Sequence, residues 1–220
     1  MKKSIFFCIS IFGIAAMLLW LLLFSNLPHR LFSSGEADAR FRIQGQKIQL
    51  RREDTWSDFE ILGVNMGTGY PGLFPNEPGI PEDTYYRWFT LIADMNANTV
   101  RVYKIQTPEF YRALKRFNQN RAEPLYLIQG VDFSDDLMYS ETNIHDPAVR
   151  QQIQRDTCSV IDAVHGNKLL LDAKANTLYA YTSDVSDYLI GYILGVEWDE
   201  IFVDYTCRIN ASLNSFDGEY

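Results

Sequence analysis

Histidine, cysteine and clustered base are scarce in this chain, and each scarcity narrows its chemistry. The three histidines show no H-E-x-x-H and no other paired spacing, so a zinc-hydrolase helix is not expected. His145 and His165 fall at the ends of expected helices, where a histidine caps or is exposed. Of three cysteines, Cys8 lies in an N-terminal apolar run. Cys158 and Cys207 both fall on expected helices, and read as two separate thiols more readily than as a bridge. No serine or cysteine sits in a nucleophile elbow. Basic residues are scattered apart from Arg51–Arg52, and the net charge is −8, which argues against a nucleic-acid partner. A P-loop is missing. The glycines of "GVNMGTGYPG" run into "LFPNEPGIP" instead of a helix N-terminus, so they are no dinucleotide fingerprint. Internal repeats and low-complexity segments are also missing, and no cofactor or metal is expected.

Apolar material is plentiful. The chain is 47% hydrophobic and 14% aromatic over 220 residues, enough to bury the core of one domain and carry a tail. Lys2 and Lys3 precede an uncharged run, "SIFFCISIFGIAAMLLWLLLF", residues 4–24. As a helix it would span roughly 32 Å, the thickness of a bilayer core. It is longer than the roughly 7–15 apolar residues of a cleaved signal, and no A-x-A site follows. An uncleaved transmembrane anchor over 1–24 is therefore expected. The lysines belong in the cytoplasm and the remainder outside, or secreted if the segment is cleaved. A polar linker over 25–38 then leads to a domain over 39–220.

That domain opens with "RFRIQGQKIQLRR" (40–52), a short β-hairpin about Gly45. Strand and helix signals then alternate. Strands are expected in 59–67, 97–105, 123–133 and 187–199. Helices are expected over 81–95, with Tyr85, Trp88, Phe89, Ile92 and Met95 on one face, over 107–118, with Thr107 as N-cap and Pro108 at N1, over 146–166, with Asp146 and Pro147 repeating that device, and over 200–210. The stretch between 167 and 186 reads as irregular. Strands separated by helices run parallel, and apolar runs without clean alternation fit a sheet covered on both faces. The expected fold is α/β: a partial (β/α)8 barrel of about four β-α units, preceded by the transmembrane helix and the hairpin. A complete barrel takes about 250 residues, so a second barrel half or self-association is expected to complete it. A smaller sheet is the alternative.

In such a fold the working residues project from the C-terminal ends of the strands. Strand one ends at Asn65, with Tyr70 beyond it. Strand two ends at Arg101, Tyr103 and Lys104, strand three at Asp132, and strand four at Glu197, Trp198 and Asp199. Carboxylates, amide, arginine and aromatics suit a carbohydrate: rings stack on sugar C–H faces while amides and carboxylates take hydroxyls. Each residue also has a plainer reading. Glu197 can be the charged end of a strand, and Arg101 an ion-pair partner. Asp132, Asp135 and Asp136 can be a solvated loop, while Trp88 and Phe89 read as core.

In order and spacing, "FEILGVNMGTGYPG", "ADMNANTVRVYKIQTPEFYRAL", "PLYLIQGV" and "YLIGYILGVEWD" resemble the first half of the clan-A (β/α)8 glycoside hydrolases. The β-galactosidase/β-glucuronidase and fungal glucanosyltransferase catalytic domains are the nearest patterns. The resemblance covers roughly residues 59–200. It implies Glu197 as the strand-four acid/base and Arg101 as the arginine that orients the nucleophile. Asn65, Tyr70, Tyr103, Asp132 and Trp198 would be substrate-binding residues. In two respects the chain departs from the family. Val196 stands where the family has a sugar-contacting Asn, and no counterpart of its strand-seven nucleophile is found. The expected function is therefore retaining glycosidase-like action on extracytoplasmic polysaccharide or oligosaccharide, incomplete in this chain. The alternatives are a non-catalytic carbohydrate-binding or scaffold protein, and a barrel module associated with a glycosyltransferase.

Overall fold

The computed structural model describes residues 39–73, 79–134, 137, 142–172, 177–195 and 197–211. The expected anchor and linker lie outside these, as do Asp135, Asp136 and Val196. Among the described residues no helix is long and apolar enough to cross a membrane.

The described residues from Arg40 onward form one compact unit, which begins with an antiparallel meander of β1 (Phe41–Gln44), β2 (Lys47–Arg52) and β3 (Thr55–Asp58). The hairpin about Gly45 is present, with Gly45 at φ 60°. Its third strand has only one large apolar residue, Trp56, too few to announce a strand. Trp56 instead supports the Arg42 guanidinium, 4.2 Å from its ring centre.

A mixed α/β arrangement follows. β4 (Gly63–Met66), β5 (Thr99–Val102), β6 (Tyr126–Val131) and β9 (Leu189–Leu194) pair in parallel, in the order β4-β5-β6-β9. Between them run α1 (Glu82–Asp94), α2 (Pro108–Asn118) and α3 (Pro147–Val164), and α4 (Glu200–Ile209) follows β9. Asp146 caps α3 by accepting the Ala148 N–H at 2.8 Å, as its sequence position predicts. Thr107 sits at the N-cap of α2 but makes no side-chain capping bond. Met95, expected on the buried face of α1, is 63% exposed. It is the C-cap residue, past the point where helical periodicity fixes direction.

Two further strands, β7 (Lys168–Asp172) and β8 (Thr177–Tyr181), form an antiparallel hairpin where irregular chain was expected. Leu170, Tyr179 and Tyr181 pack on the core, while Leu169, Leu171 and Leu178 are exposed. Leucines on both faces hide the period-two alternation that marks a half-buried strand.

The helices cover one face of the parallel sheet. Met66, Val100, Val102 and Leu127 share a core with Tyr85 and Phe89 of α1 and Phe110, Leu114 and Phe117 of α2. Val131 joins a second cluster with Val149 and Val160 of α3 and Phe202 of α4. Ring contacts dominate the first, with Phe110 edge-on to Tyr85 at 5.5 Å and to Phe89 at 5.4 Å. Side chains alternate across a strand, so Asn65, Arg101, Ile128 and Ile193 point to the other face, where Asn65 is exposed and the other three half-buried.

At the N-terminal ends of the strands that second face is closed. Phe41 and Phe59 pack edge-on against Tyr126 at 5.0 and 5.2 Å. Arg52 bonds Glu123 at 2.9 Å and Arg40 lies 3.6 Å from Asp187. The meander thus blocks the bottom of the sheet.

Candidate functional site

Asn65 and Arg101 are register partners on β4 and β5. Arg101 Nη1 donates to Asn65 Oδ1 at 3.4 Å, and its Cζ lies 4.6 Å above the Tyr103 ring. Arg101 Nε is buried and has no acceptor. Lys104 Nζ stands 3.9 Å from Asp132 Oδ2. Asn65, Arg101, Tyr103, Lys104 and Asp132 thus form a chain of neighbours across β4, β5 and β6. Gly130 makes part of this possible. A Cβ there would run into the carbonyl oxygen of Tyr103, so the strand leaving β5 could not approach β6 with any larger residue.

Beyond β9 the geometry is different from that expected. Gly195 turns the chain with φ 70°, and a Cβ there would strike the Trp198 indole. Trp198 stacks on Phe202 of α4 at 5.5 Å and leans on Phe133 at 5.6 Å. The residue, 37% exposed, is held by packing on one side of its ring. Glu197 is exposed. Asp199 is the N-cap of α4, its Oδ1 accepting the Ile201 N–H at 2.8 Å.

Tyr70 follows β4 in the chain. It bridges to Leu73, packs on the core and lies 6.1 Å from Trp88. Trp88 is only half-buried and, with Asn65, Met66 and Leu91, lines a groove of about 370 Å³ beside β4. The sequence placed it in the core, and it packs against that core from the side, while its neighbour Phe89 is fully buried within it.

Asn98 falls within the "NANTVRV" stretch that carries the resemblance, but its role could not be read there. It stands just before β5, where its Oδ1 accepts the Leu62 N–H at 2.9 Å and its Nδ2 donates to the Glu60 carbonyl at 2.8 Å. One amide therefore fixes the entry of β4 beside β5 and sets the Asn65–Arg101 register. Its only local signal is an amide directly before an apolar strand.

Behind the sheet lies a buried polar chain. Tyr111 donates to Gln129 Oε1 at 3.0 Å and accepts the Gln106 N–H at 3.2 Å, while Tyr181 donates to the Gln106 carbonyl at 2.9 Å. This chain holds the segment after β5 against β6 and β8. Burial raises the pKa of Tyr111 and Tyr181 well above the usual phenol range, so both are neutral donors and structural.

Cys158 and Cys207 are free thiols. Among the described residues no group of three or more His, Cys, Asp or Glu could hold a metal ion. No protein-family model, curated protein or solved structure matches the chain.

Proposed function

We propose that this chain is a saccharide-acting protein of the (β/α)8 type, anchored by residues 4–24, with its site outside the cytoplasm. One observation carries the reading: the four parallel strands lie in sequence order with their helices against one face. A doubly wound sheet reverses its order and takes helices on both faces. An arc of barrel does neither, and it turns alternate side chains, here Asn65 and Arg101, into the barrel interior.

In the glycosidase form of this reading, Glu197 protonates the leaving glycosidic oxygen and then, as carboxylate, takes the proton from the attacking water. Arg101 aligns the carboxylate that attacks the anomeric carbon. A retaining mechanism places the two carboxyls roughly 5–5.5 Å apart, and Asp132 is the carboxylate at the end of the adjacent strand. Asn65 and Tyr103 meet sugar hydroxyls and ring faces.

A second reading, non-catalytic carbohydrate binding, is favoured by the exposure of Glu197. A general acid at neutral pH relies on a dry wall, and the indole that would supply it is engaged with Gly195, Phe133 and Phe202. The two readings separate in an assay of the full chain against a panel of aryl glycosides. Catalysis predicts turnover that falls by about 10²–10⁴-fold in Glu197→Gln. Turnover unchanged in that variant removes Glu197 from the chemistry. Glycan binding without turnover selects the binding protein.

A further inference from the structure

The β7–β8 hairpin turns an apolar face outward. Side chains alternate across a strand, and Leu170, Tyr179 and Tyr181 are the ones turned to the core. The opposite face carries Leu169, Leu171, Leu178 and Ala180, all exposed, the three leucines to 43%, 58% and 61%. Leu171 stands across the ladder from Leu178, and Leu169 from Ala180, so these residues form one patch with no polar side chain among them. The outer face of an antiparallel pair that meets water carries polar residues as a rule. A contiguous apolar patch there marks a contact.

The size of the patch and the rest of the chain point to one occupant. Three partly covered leucines fall well short of the roughly 800 Å² per partner that a stable protein interface buries. A surface to which the chain is already tethered demands less, because the tether supplies a high effective concentration. The apolar run 4–24 has the length of a bilayer core, and only residues 25–38 separate it from the domain. Fully extended, that linker spans roughly 46–50 Å at about 3.3–3.6 Å per residue. A domain of this size has a radius of gyration of about 16 Å, so any of its faces can reach the bilayer.

We propose that the outer face of the β7–β8 hairpin, through Leu169, Leu171 and Leu178, inserts into the boundary between headgroups and acyl chains of the bilayer that residues 4–24 cross. The inference rests on the anchoring half of the reading above and is independent of the saccharide half. The contact is apolar, and with a net charge of −8 the chain gains nothing from anionic lipid, so a zwitterionic surface suffices. Tyr181 of the same hairpin donates to the Gln106 carbonyl just past β5. A seated hairpin therefore gives the strand ends a fixed orientation on the membrane.

The test uses the full chain reconstituted into phosphatidylcholine vesicles. A bimane label is placed at Leu178→Cys, in a background of Cys8→Ser, Cys158→Ser and Cys207→Ser. Resistance to alkaline extraction reads the anchor, and quenching by brominated acyl chains reads the hairpin. The label should be quenched, most strongly by bromines roughly 5–10 Å deep, the depth of interfacial elements. Leu171→Asp, across the ladder from the label, should abolish the quenching while circular dichroism and extraction resistance stay unchanged. A label that is not quenched in an extraction-resistant chain overturns the inference and leaves the anchor standing. Quenching that survives Leu171→Asp also overturns it. So does a blue shift that grows with the number of chains per vesicle and comes without quenching, which would seat a second copy on the patch. A chain removed by alkaline extraction overturns the anchor and the inference together.

Discussion

Asn98 shows how one residue sets the geometry on which the site depends. Its amide satisfies the Leu62 N–H and the Glu60 carbonyl, and its Oδ1 also accepts from Thr99 Oγ1 at 2.8 Å. Asn98→Ala leaves these groups unanswered, so the expected loss is about 1–3 kcal/mol, read as a lower denaturant midpoint. Because the register of Asn65 against Arg101 follows from this entry point, ligand affinity should fall with it. Thr99 and Asn98 are adjacent in sequence, but Leu62 and Glu60 are far away along the chain. Such a link is invisible to any local pattern. Asp146, by contrast, caps a helix two residues on, so its role was legible directly.

Among the elements, α1 and α2 are tied by a charge network as well as by rings. Glu82 meets Arg112 at 3.1 Å and Arg116 at 3.0 Å, Asp83 meets Arg116 at 2.7 Å, and Glu109 meets Arg112 at 2.6 Å. Burial alone would push the Glu109 pKa up. Its own backbone N–H and the Arg112 guanidinium outweigh that, and hold the carboxyl below its ordinary 4.5. A depressed folded pKa stabilises the fold above the unfolded value and loses that contribution as pH falls below it. Denaturant midpoints should therefore drop as pH is lowered below 4.5, and Glu109→Gln should flatten part of that slope. Helices of this kind were legible because their apolar stripes and Pro or acidic starts are local. The β7–β8 hairpin was not, because its outward leucines break the alternation. The strand expected over 187–199 is shortened for a comparable reason: Ser186–Tyr188 is a 3₁₀ turn and Gly195 turns away, although both flanks are apolar.

In the whole molecule, buried phenols predict an alkaline limit. Burial pushes Tyr85 up to about 12, and burial with the nearby Asp162 and Asp184 charges pushes Tyr192 to about 12. Tyr111 and Tyr181 are raised also. A raised folded pKa leaves stability intact below the unfolded value of 10.0 and loses it as pH climbs toward 12. Stability should thus fall above pH 10.0, with tyrosinate absorbance rising in step with unfolding. Tyr192→Phe should blunt this loss without weakening the fold at neutral pH, because its buried hydroxyl has no partner to lose. At this scale the sequence conveyed the parallel β-α order. It could not convey that Trp198 is packed by Gly195, Phe133 and Phe202, nor that Tyr70 serves the core, since loop conformation decides both.

Saccharide recognition at the C-terminal ends of β4, β5, β6 and β9 is the claim on which the functional account stands, and glycan-array binding by the full chain tests it most directly. Asn65 is exposed, so Asn65→Ala probes the site without disturbing the core. The account predicts that the chain binds at least one class of glycan and that this variant weakens it about tenfold, the loss of one well-made hydrogen bond. Binding to no glycan, or binding that is unchanged in Asn65→Ala, would contradict it.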